Sequence, residues 1–428
     1  MSLAMRRDSP WLALVLLAGV GTVGFIDRIV VNVLVEPLKL HFSLSDTQVS
    51  LLGFAYAILN IVLGVVVARY AERVRRLTLI AAGTIAWSAA TAACGLVGSW
   101  TQLLLARVGV GVGEAIGLPG NQSVVADYFP AHKRGLAMSV LLLSPPVGAF
   151  IGFVGGGWIA QNFDWRLTFL LAAVPGLILG IAAHFFVAEP PRGRHDPGAG
   201  DHVPRFGAVL GRLVGLSSAR HLIAGSALAA TIGFGLNYFF TSLMIRRFGL
   251  PIGTAGFYAG IIASLPAAIS VLGSGWLGDR LGAARPAAYA LIPGISMLIG
   301  GPLYAFAITR ESLALLLALV TVSAVLQFGY LGITFASLQN LMHPRMRATA
   351  SALLNAVYGI AGGIGPLVLG ALSDRLELGY GAGVGLALAM ALLSLAYLWA
   401  AAHYFLAARR YGDDLASTRA APPPTAFR

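Results

Sequence analysis

Charged residues are scarce in this sequence. Only 11% of its 428 residues are Asp, Glu, Lys or Arg, against about a quarter in an ordinary soluble domain. Hydrophobic residues make up 57%, and the mean hydropathy is +0.81. A globule in water needs more charge to cover its surface, and apolar residues spread along the whole chain exclude disorder, a collagen-like repeat and a single anchor on a soluble body. The sequence therefore predicts a chain whose main solvent is the lipid bilayer.

Cysteine is nearly absent as well. The one cysteine, Cys94, lies in an apolar run, so an intramolecular disulfide is excluded. Four histidines, His132, His195, His202 and His343, fall in predicted loops without the spacing of metal ligands. We therefore expect no metal site and no cofactor.

Apolar runs long enough to cross a bilayer, which takes about 20 residues, occur twelve times. They lie near 10–36, 48–68, 77–99, 101–127, 135–160, 166–187, 219–244, 254–275, 286–308, 312–342, 347–372 and 382–407. A Pro-, Gly-, Arg- and His-rich stretch separates two sets of six. This predicts an all-α membrane protein with a six-helix bundle over 1–188, a cytoplasmic linker over 189–218, and a second six-helix bundle with a cytoplasmic tail over 219–428.

Basic residues are distributed unequally between the two sides of these spans. With a cytoplasmic N-terminus, 21 of the 29 Lys and Arg residues fall in cytoplasmic segments, six fall on the other side, and Arg28 and Arg107 fall inside spans. Because cytoplasmic loops carry the excess of Lys and Arg, both termini are predicted to be cytoplasmic, in the cell (inner) membrane. The net charge of +12 then reflects topology and attraction to anionic lipids, and it requires no nucleic-acid partner.

The two predicted halves contain related loops. The loop after the second span reads GVVVARYAERVRR and the loop after the eighth reads GWLGDRLGAAR, which aligns Ala68 with Asp279 at an offset of 211. PAHKRGLA after the fourth span and PRMRATA after the tenth align Arg134 with Arg347 at an offset of 213. Two matches at nearly one offset indicate a duplicated six-helix unit, which is typical of secondary transporters that rock around a central site.

Several segments resemble the major facilitator superfamily of transporters. GWLGDRLGAAR, centred on Asp279 and Arg280, is similar to its signature loop, and SPPVGAFIGFVGGG from Ser144 is similar to its fifth-helix motif. The segments that resemble spinster-like lipid transporters are FIDR (25–28), RVGVGVGEAIGLP (107–119), DYFP (127–130), DWRLTF (164–169) and EPPRG (189–193). The fourth-span motif also resembles organic-anion symporters of the superfamily. The resemblance implies the major facilitator fold, with twelve transmembrane helices in two pseudo-symmetric six-helix bundles, and we expect a monomer.

The first copy of the signature loop departs from the family pattern, because Ala68 stands where the family usually has an aspartate. The resemblance implies that this carboxylate latches the cytoplasmic ends of the two halves, partly by facing a helix N-terminus. Asp279 and Arg280 supply the second copy of the latch. Either Glu72, one turn after Ala68, replaces the missing aspartate, or the latch is weak and the transporter leans toward its inward-open state. The remaining alternative is drift at a tolerant surface position.

Glycines recur in the predicted fourth span. Gly109, Gly111, Gly113 and Gly117 contain part of a dinucleotide-binding pattern, but that pattern needs a preceding strand, and these residues lie within a membrane helix. Small residues let membrane helices approach closely. The pattern therefore predicts close helix packing.

Four ionisable residues, Asp27, Arg28, Arg107 and Glu114, lie inside predicted spans. A central charge costs at least about 2.5 to 3.5 kcal/mol, so such residues usually face a polar cavity and mark a transport path. Adjacent helical residues point about 100° apart, so ion pairs must form between helices. The distance of each residue from the outer end of its span puts Asp27 level with Arg107 and leaves Glu114 within reach of the long Arg28 side chain. A shift of about three residues in the span ends reverses this pairing. The alternative is a neutral network that only fixes packing.

The second predicted half has no Asp, Glu, Lys or Arg in the central parts of its spans. Its contribution to a central substrate cavity is neutral, although each candidate also fits a packing role. The candidates are Asn237, Tyr238, Phe240, Gln327, Tyr330, Thr334, Asn355 and Tyr358. A cavity that is ionic on one side and apolar to weakly polar on the other suits an amphiphile with a charged head and a hydrocarbon tail.

These features predict a secondary active transporter. An intramembrane lipid enzyme requires paired Asp-rich motifs, a Ser/His arrangement or a metal site, and the sequence has none of these patterns. The resemblance implies alternating access, a lysophospholipid or sphingolipid-like substrate and a proton as the coupling ion. Asp27 and Glu114 are the candidate proton carriers, because a carboxylate beside an arginine stays ionised until the arginine moves away.

Arg28 and Arg107 would alternate between these carboxylates and an anionic headgroup. The alternative function is symport of a small organic anion, such as a sugar acid or an aromatic carboxylate, through the same arginines. A small polar substrate calls for more polar partners than the second half offers.

Overall fold

The computed structural model describes residues 8–71, 74–117, 120–192, 194–195, 206–343 and 346–420, and every regular element in these ranges is a helix. The first nine are α1 (Pro10–Val33), α2 (Val35–Phe42), α3 (Asp46–Ala71), α4 (Arg76–Cys94), α5 (Trp100–Gly117), α6 (Gly120–Tyr128), α7 (Ala131–Leu141), α8 (Ser144–Asn162) and α9 (Trp165–Phe186). The others are α10 (Phe206–Gly215), α11 (Ser217–Phe248), α12 (Ile252–Gly282), α13 (Ala288–Ile308), α14 (Leu313–Phe328), α15 (Tyr330–Asn340), α16 (Arg347–Tyr380), α17 (Ala382–Leu395) and α18 (Tyr397–Ala420).

Twelve stretches of the described chain are long and apolar enough to cross a bilayer. The prediction of twelve spans in an all-α integral membrane protein is thereby confirmed. The fourth, fifth, tenth and twelfth spans each consist of two successive helices. In the fifth span the second helix, α8, has Pro145 and Pro146 in its first turn, where a backbone N–H has no helical partner and proline is tolerated.

The helices form two compact units. The first contains Met1–Ala199 and Asn237–Ser264, and the second contains Gly200–Leu236 and Leu265–Arg428. The second part of α11 and the first part of α12 therefore pack with the first unit. The predicted limits of the two bundles and the linker remain predictions.

In the described part of the stretch predicted as a linker, the chain forms helix α10 and begins helix α11. Val209 and Leu213 are four residues apart and both are buried. Between them, Arg212 donates hydrogen bonds to the Leu341 carbonyl at 3.3 Å and to the Thr418 hydroxyl at 2.9 Å. Apolar residues on one helical face and an arginine beside them make α10 an amphipathic helix of the second unit.

Glycines set the spacing of helices in the first unit, as predicted. A Cβ at Gly113 would lie 2.6 Å from the backbone nitrogen of Trp87 in α4, and a Cβ at Gly111 would lie 2.6 Å from the carbonyl oxygen of Tyr56 in α3. Any larger residue would push these helices apart. Helix α5 therefore lies between α3 and α4 with direct backbone contact on both sides.

Arg76, at the start of α4, joins two of the motif segments. Its Nε donates to Glu189 Oε1 at 2.8 Å, and its Nη1 donates to Asp127 Oδ2 at 2.5 Å. The Tyr128 hydroxyl, next to Asp127, donates to the Ala188 carbonyl, next to Glu189. Because Arg76 is buried, these charge-assisted bonds fix the end of α6 and the segment after α9 against α4. Asp127 and Tyr128 of the segment DYFP and Glu189 at the start of EPPRG thus have a structural role.

A second buried arginine, Arg246, ties the end of α11 to α2 and α3. It donates to both carboxylate oxygens of Asp46, at 2.7 and 2.6 Å, and through Nε to Glu36 at 2.9 Å. Lys39 also donates to Asp46. The side chain of Arg246 is 6% exposed and that of Asp46 is 0% exposed. A bidentate arginine–carboxylate pair is stabilised both by the attraction of its charges and by two parallel hydrogen bonds.

Replacing Arg246 tests how far this cluster stabilises the first unit. Arg246→Ala leaves the buried Asp46 short of its main cation, and breaking a buried pair by removing one partner costs about 3 to 5 kcal/mol. We expect a clearly lower Tm in detergent, with a smaller decrease for Arg246→Lys, which keeps the charge and loses the bidentate geometry. The matched control is Arg285→Ala at an exposed position. Equal Tm values for Arg246→Ala and this control would show that the cluster adds no stability.

Candidate functional site

The site is centred on an ion pair between Arg28 in α1 and Glu114 in α5. Arg28 Nη2 lies 2.7 Å and Nε lies 3.1 Å from Glu114 Oε2. The Glu114 side chain is 0% exposed, whereas the Arg28 side chain is 34% exposed. The depth of the two residues along their helices predicted this contact. The carboxylate is therefore enclosed within the helices, and the cation is partly accessible.

Aromatic rings surround the charged groups. Arg28 Cζ lies 5.0 Å from the centroid of the Phe25 ring and 5.5 Å from that of the Tyr56 ring. Tyr56, in α3, donates its hydroxyl to Glu114 Oε2, and its ring lies 5.1 Å from Arg107 Cζ. Cations are stabilised over aromatic faces, and a hydroxyl stabilises a carboxylate through a charge-assisted hydrogen bond. Tyr56 thus contacts three of the four ionisable residues that the sequence analysis placed inside spans, namely Arg28, Arg107 and Glu114.

The second predicted pair, Asp27 with Arg107, does not form through the side chains, and that part of the depth argument is wrong. Arg107 Nη1 donates to the backbone carbonyl of Asp27 at 3.2 Å, and neither carboxylate oxygen of Asp27 has a hydrogen-bond partner among the described residues. Both residues are fully buried. Depth places them at one level correctly, but it carries no information on the direction of a side chain around the helix axis.

Three neutral candidates, Asn237, Tyr238 and Phe240, lie in the part of α11 that packs with the first unit. Asn237 Oδ1 accepts a hydrogen bond from Asn32 Nδ2 at 3.2 Å, and the Tyr238 hydroxyl donates to the Val49 carbonyl at 2.8 Å. Phe240 is buried. The two hydrogen bonds join α11 to α1 and α3, so these side chains also hold the unit together.

Gln327 and Thr334 lie in the second unit, where their polar groups have partners. Gln327 Nε2 donates to the Gly300 carbonyl at 3.1 Å, and the hydroxyls of Thr334 and Tyr404 are 2.6 Å apart. Both candidates are buried. They join α14 to α13 and α15 to α18.

The remaining candidates of the second unit, Tyr330, Asn355 and Tyr358, belong to α15 and α16. The rings of Tyr330 and Tyr358 have centroids 6.1 Å apart, and Phe335 lies edge-on to Tyr358 at 5.6 Å. Asn355 is exposed on α16. The arrangement gives the second unit an aromatic cluster with an exposed amide on the same helix as Tyr358.

The predicted latch residues are described only in the second unit. The Tyr289 hydroxyl donates to Asp279 Oδ1 at 3.0 Å, and the Arg280 Cζ lies 5.3 Å from the ring centroid of Trp276. Glu72 lies outside the described residues. The latch stays a prediction.

Sequence reasoning missed Tyr56, Arg76 and Arg246. The two arginines were counted only as basic residues near span ends, although acidic residues on the same predicted side of the membrane were a usable signal for both. For Tyr56 the sequence holds no comparable signal, because a tyrosine within an apolar helix is most often a packing residue.

Known proteins of similar sequence and structure identify the family of this chain. The family model of the Major Facilitator Superfamily matches residues 16–366. An MFS-type efflux pump of Mycolicibacterium smegmatis (strain ATCC 700084 / mc(2)155) is 31% identical over 406 residues, which cover 95% of this chain and 94% of the relative. The sphingosine-1-phosphate transporter SPNS2 of Xenopus tropicalis is 24% identical over 389 residues, covering 84% of this chain and 74% of the relative.

Among solved structures, a bacterial homolog of the human lysosomal transporter Spinster, in an inward-facing and unoccupied conformation, superposes with a TM-score of 0.87. It is 27% identical, and the alignment covers 95% of this chain and 98% of that chain. The resemblance drawn from the sequence motifs is confirmed. This chain belongs to the major facilitator superfamily, within which it is a spinster-like membrane transporter.

Proposed function

We propose that the protein transports an anionic amphiphile, of the lysophospholipid or sphingolipid-like class, by proton-coupled alternating access. The observation that carries the proposal is the asymmetry of the central ion pair, in which Arg28 is 34% exposed and Glu114 is 0% exposed. An accessible cation can meet a substrate, while its enclosed partner responds to the loss of that cation.

The headgroup is recognised by the guanidinium of Arg28. Its planar fork of donors suits the oxygens of a phosphate or a carboxylate. In the structure, Nε and Nη2 of Arg28 both donate to Glu114 Oε2. An anionic headgroup would therefore compete with Glu114 for these donors. The Phe25 ring beside the guanidinium offers an apolar contact to the carbon atoms next to the headgroup.

Proton coupling follows from the burial of Glu114. An ionised carboxylate enclosed in a low-dielectric site is strongly disfavoured without its cation. When a headgroup draws Arg28 away, a proton on Glu114 removes this penalty, so the anion and the proton favour each other's binding through a reciprocal coupling free energy. Departure of the headgroup returns Arg28 to Glu114 and releases the proton. This linkage moves the anion and the proton in the same direction.

Asp27 and Arg107 are proposed as the second proton carrier and the second headgroup cation. In this structure Arg107 is fully buried and bound to a backbone carbonyl, so Arg28 is the arginine that first meets a substrate. The neutral and aromatic candidates, including Tyr330, Asn355 and Tyr358, are proposed to contact the hydrocarbon tail and the uncharged part of the head.

The relatives support a lipid-like substrate, since one of them is a sphingosine-1-phosphate transporter. That substrate combines a phosphate with a long hydrocarbon chain. The distribution of Lys and Arg supports a cytoplasmic position for both termini. A monomer in the cell (inner) membrane is part of the same proposal.

The proposed substrate class is tested with purified protein in proteoliposomes. We expect flux of a labelled lysophospholipid that carries a phosphate head, and no comparable flux of gluconate or benzoate. Arg28→Ala should reduce the lysophospholipid flux about 10- to 100-fold, the range expected for losing a charge-assisted contact, while Arg410→Ala, at an exposed position outside the motifs, keeps it. Flux of the small organic acids in place of the lysophospholipid would favour the alternative of an organic-anion symporter.

Proton coupling is tested with Glu114→Gln, which keeps the size of the side chain and removes its charge. Flux in this variant should no longer respond to an imposed proton gradient, and its pH profile should flatten. If the four ionisable residues only fix helix packing, Glu114→Gln would instead lower the Tm and leave the pH profile unchanged. Anion and proton moving in opposite directions in the parent protein would overturn the linkage through Glu114.

A further inference from the structure

Two residues donate to the same oxygen of Glu114. Arg28, through Nε and Nη2, and Tyr56, through its hydroxyl, all donate to Oε2, and Oε1 has no hydrogen-bond partner among the described residues. Because Arg28 is the donor that leaves when a headgroup binds under the proposed function, the hydroxyl of Tyr56 is the donor that stays.

Tyr56 is held in place independently of this hydrogen bond. Its residue is 8% exposed, and its carbonyl oxygen would lie 2.6 Å from a Cβ at Gly111. One turn later in α3, Asn60 Nδ2 donates to the Gly111 carbonyl at 3.4 Å. The contact between α3 and α5, which does not involve Arg28, therefore holds the backbone of Tyr56 beside Gly111, three residues before Glu114.

The chemistry of a phenol defines what the hydroxyl does there. It donates a hydrogen bond to an ionised carboxylate, and a bond to the charged form favours that form over the protonated one. It carries no charge, so it cannot replace Arg28 as a counter-ion. Its ring lies within 5.5 Å of the Arg28 Cζ and within 5.1 Å of the Arg107 Cζ, which places an aromatic face against both cations.

We infer that Tyr56 is a positioning residue that sets the pH at which Glu114 accepts its proton and releases Arg28. This inference rests on the proposed function and adds the regulation of its central step. The charged groups that act on Tyr56 and Glu114 are Arg28 and Asp27 from α1 and Arg107 from α5. The charge of Arg107 in turn acts on two further titratable side chains, Cys94 of α4 and Tyr238 of α11.

The test is Tyr56→Phe, which keeps the ring and removes the hydroxyl. In proteoliposomes, the pH of half-maximal lysophospholipid flux should rise by about one to two units, the shift expected when a carboxylate loses a charge-assisted hydrogen bond. Maximal flux at low pH should stay within about twofold of the parent, because Arg28 remains and protonated Glu114 no longer requires the bond. The matched control is Tyr128→Phe, which removes another buried tyrosine hydroxyl, bonded to the Ala188 carbonyl.

A second measurement does not depend on transport. The infrared carboxylic acid band that is missing in Glu114→Gln reports the protonation of Glu114 directly, and in Tyr56→Phe it should appear at higher pH than in the parent and in Tyr128→Phe. The same onset in all three proteins would overturn the role of Tyr56, even where flux supports the proposed function. A shifted onset together with no lysophospholipid flux in the parent would support the role of Tyr56 at Glu114 and reject the substrate class.

Discussion

A lipid bilayer does not solvate ions, and the arrangement of the first unit depends on this constraint. Each buried arginine that the structure describes there is bonded to carboxylates or to carbonyl oxygens. Arg76 binds Asp127 and Glu189, and Arg246 binds Asp46 and Glu36. Each cluster joins segments that are far apart in sequence. A buried charge without a partner is strongly destabilising, so the fold brings the acidic and basic residues together.

The clusters around the arginines differ in the number of carboxylate partners and in the exposure of the arginine side chain, and our proposal uses this difference to choose the transport site. Arg76 and Arg246 each bind two carboxylates and have side chains that are 6% exposed. Arg28 pairs with one carboxylate among the described residues and is 34% exposed. An arginine bound to two enclosed carboxylates would leave both of them unpaired if it moved away, which is unfavourable. An arginine with one partner and an accessible face can exchange that partner for a substrate anion, which is why we place the transport chemistry at Arg28.

Small residues make the central network possible. The close approach of α3 to α5 at Gly111 places Tyr56 beside the charged residues of α5, and the close approach of α4 to α5 at Gly113 holds the other side of α5. In a membrane, where apolar contact alone favours no particular pair of helices, such backbone approach and polar bonding decide which helices meet. The glycine-rich motif of α5 therefore sets the helix spacing that the contacts of its ionisable residues require.

The sequence by itself determined the number of spans, the helical class, the superfamily and the set of ionisable residues in the membrane. Hydrophobic runs and buried charges have few solutions in a bilayer, so these features can be predicted from composition and spacing. The depths of the residues along their helices brought Arg28 within reach of Glu114, but the same argument also paired the side chains of Asp27 and Arg107, which do not bond. The separation of Asp27 from Arg107, the hydrogen bond of Tyr56 and the clusters around Arg76 and Arg246 were decided by the tertiary structure. They depend on the rotation of each helix about its axis and on which helices are neighbours, and a one-dimensional pattern records neither.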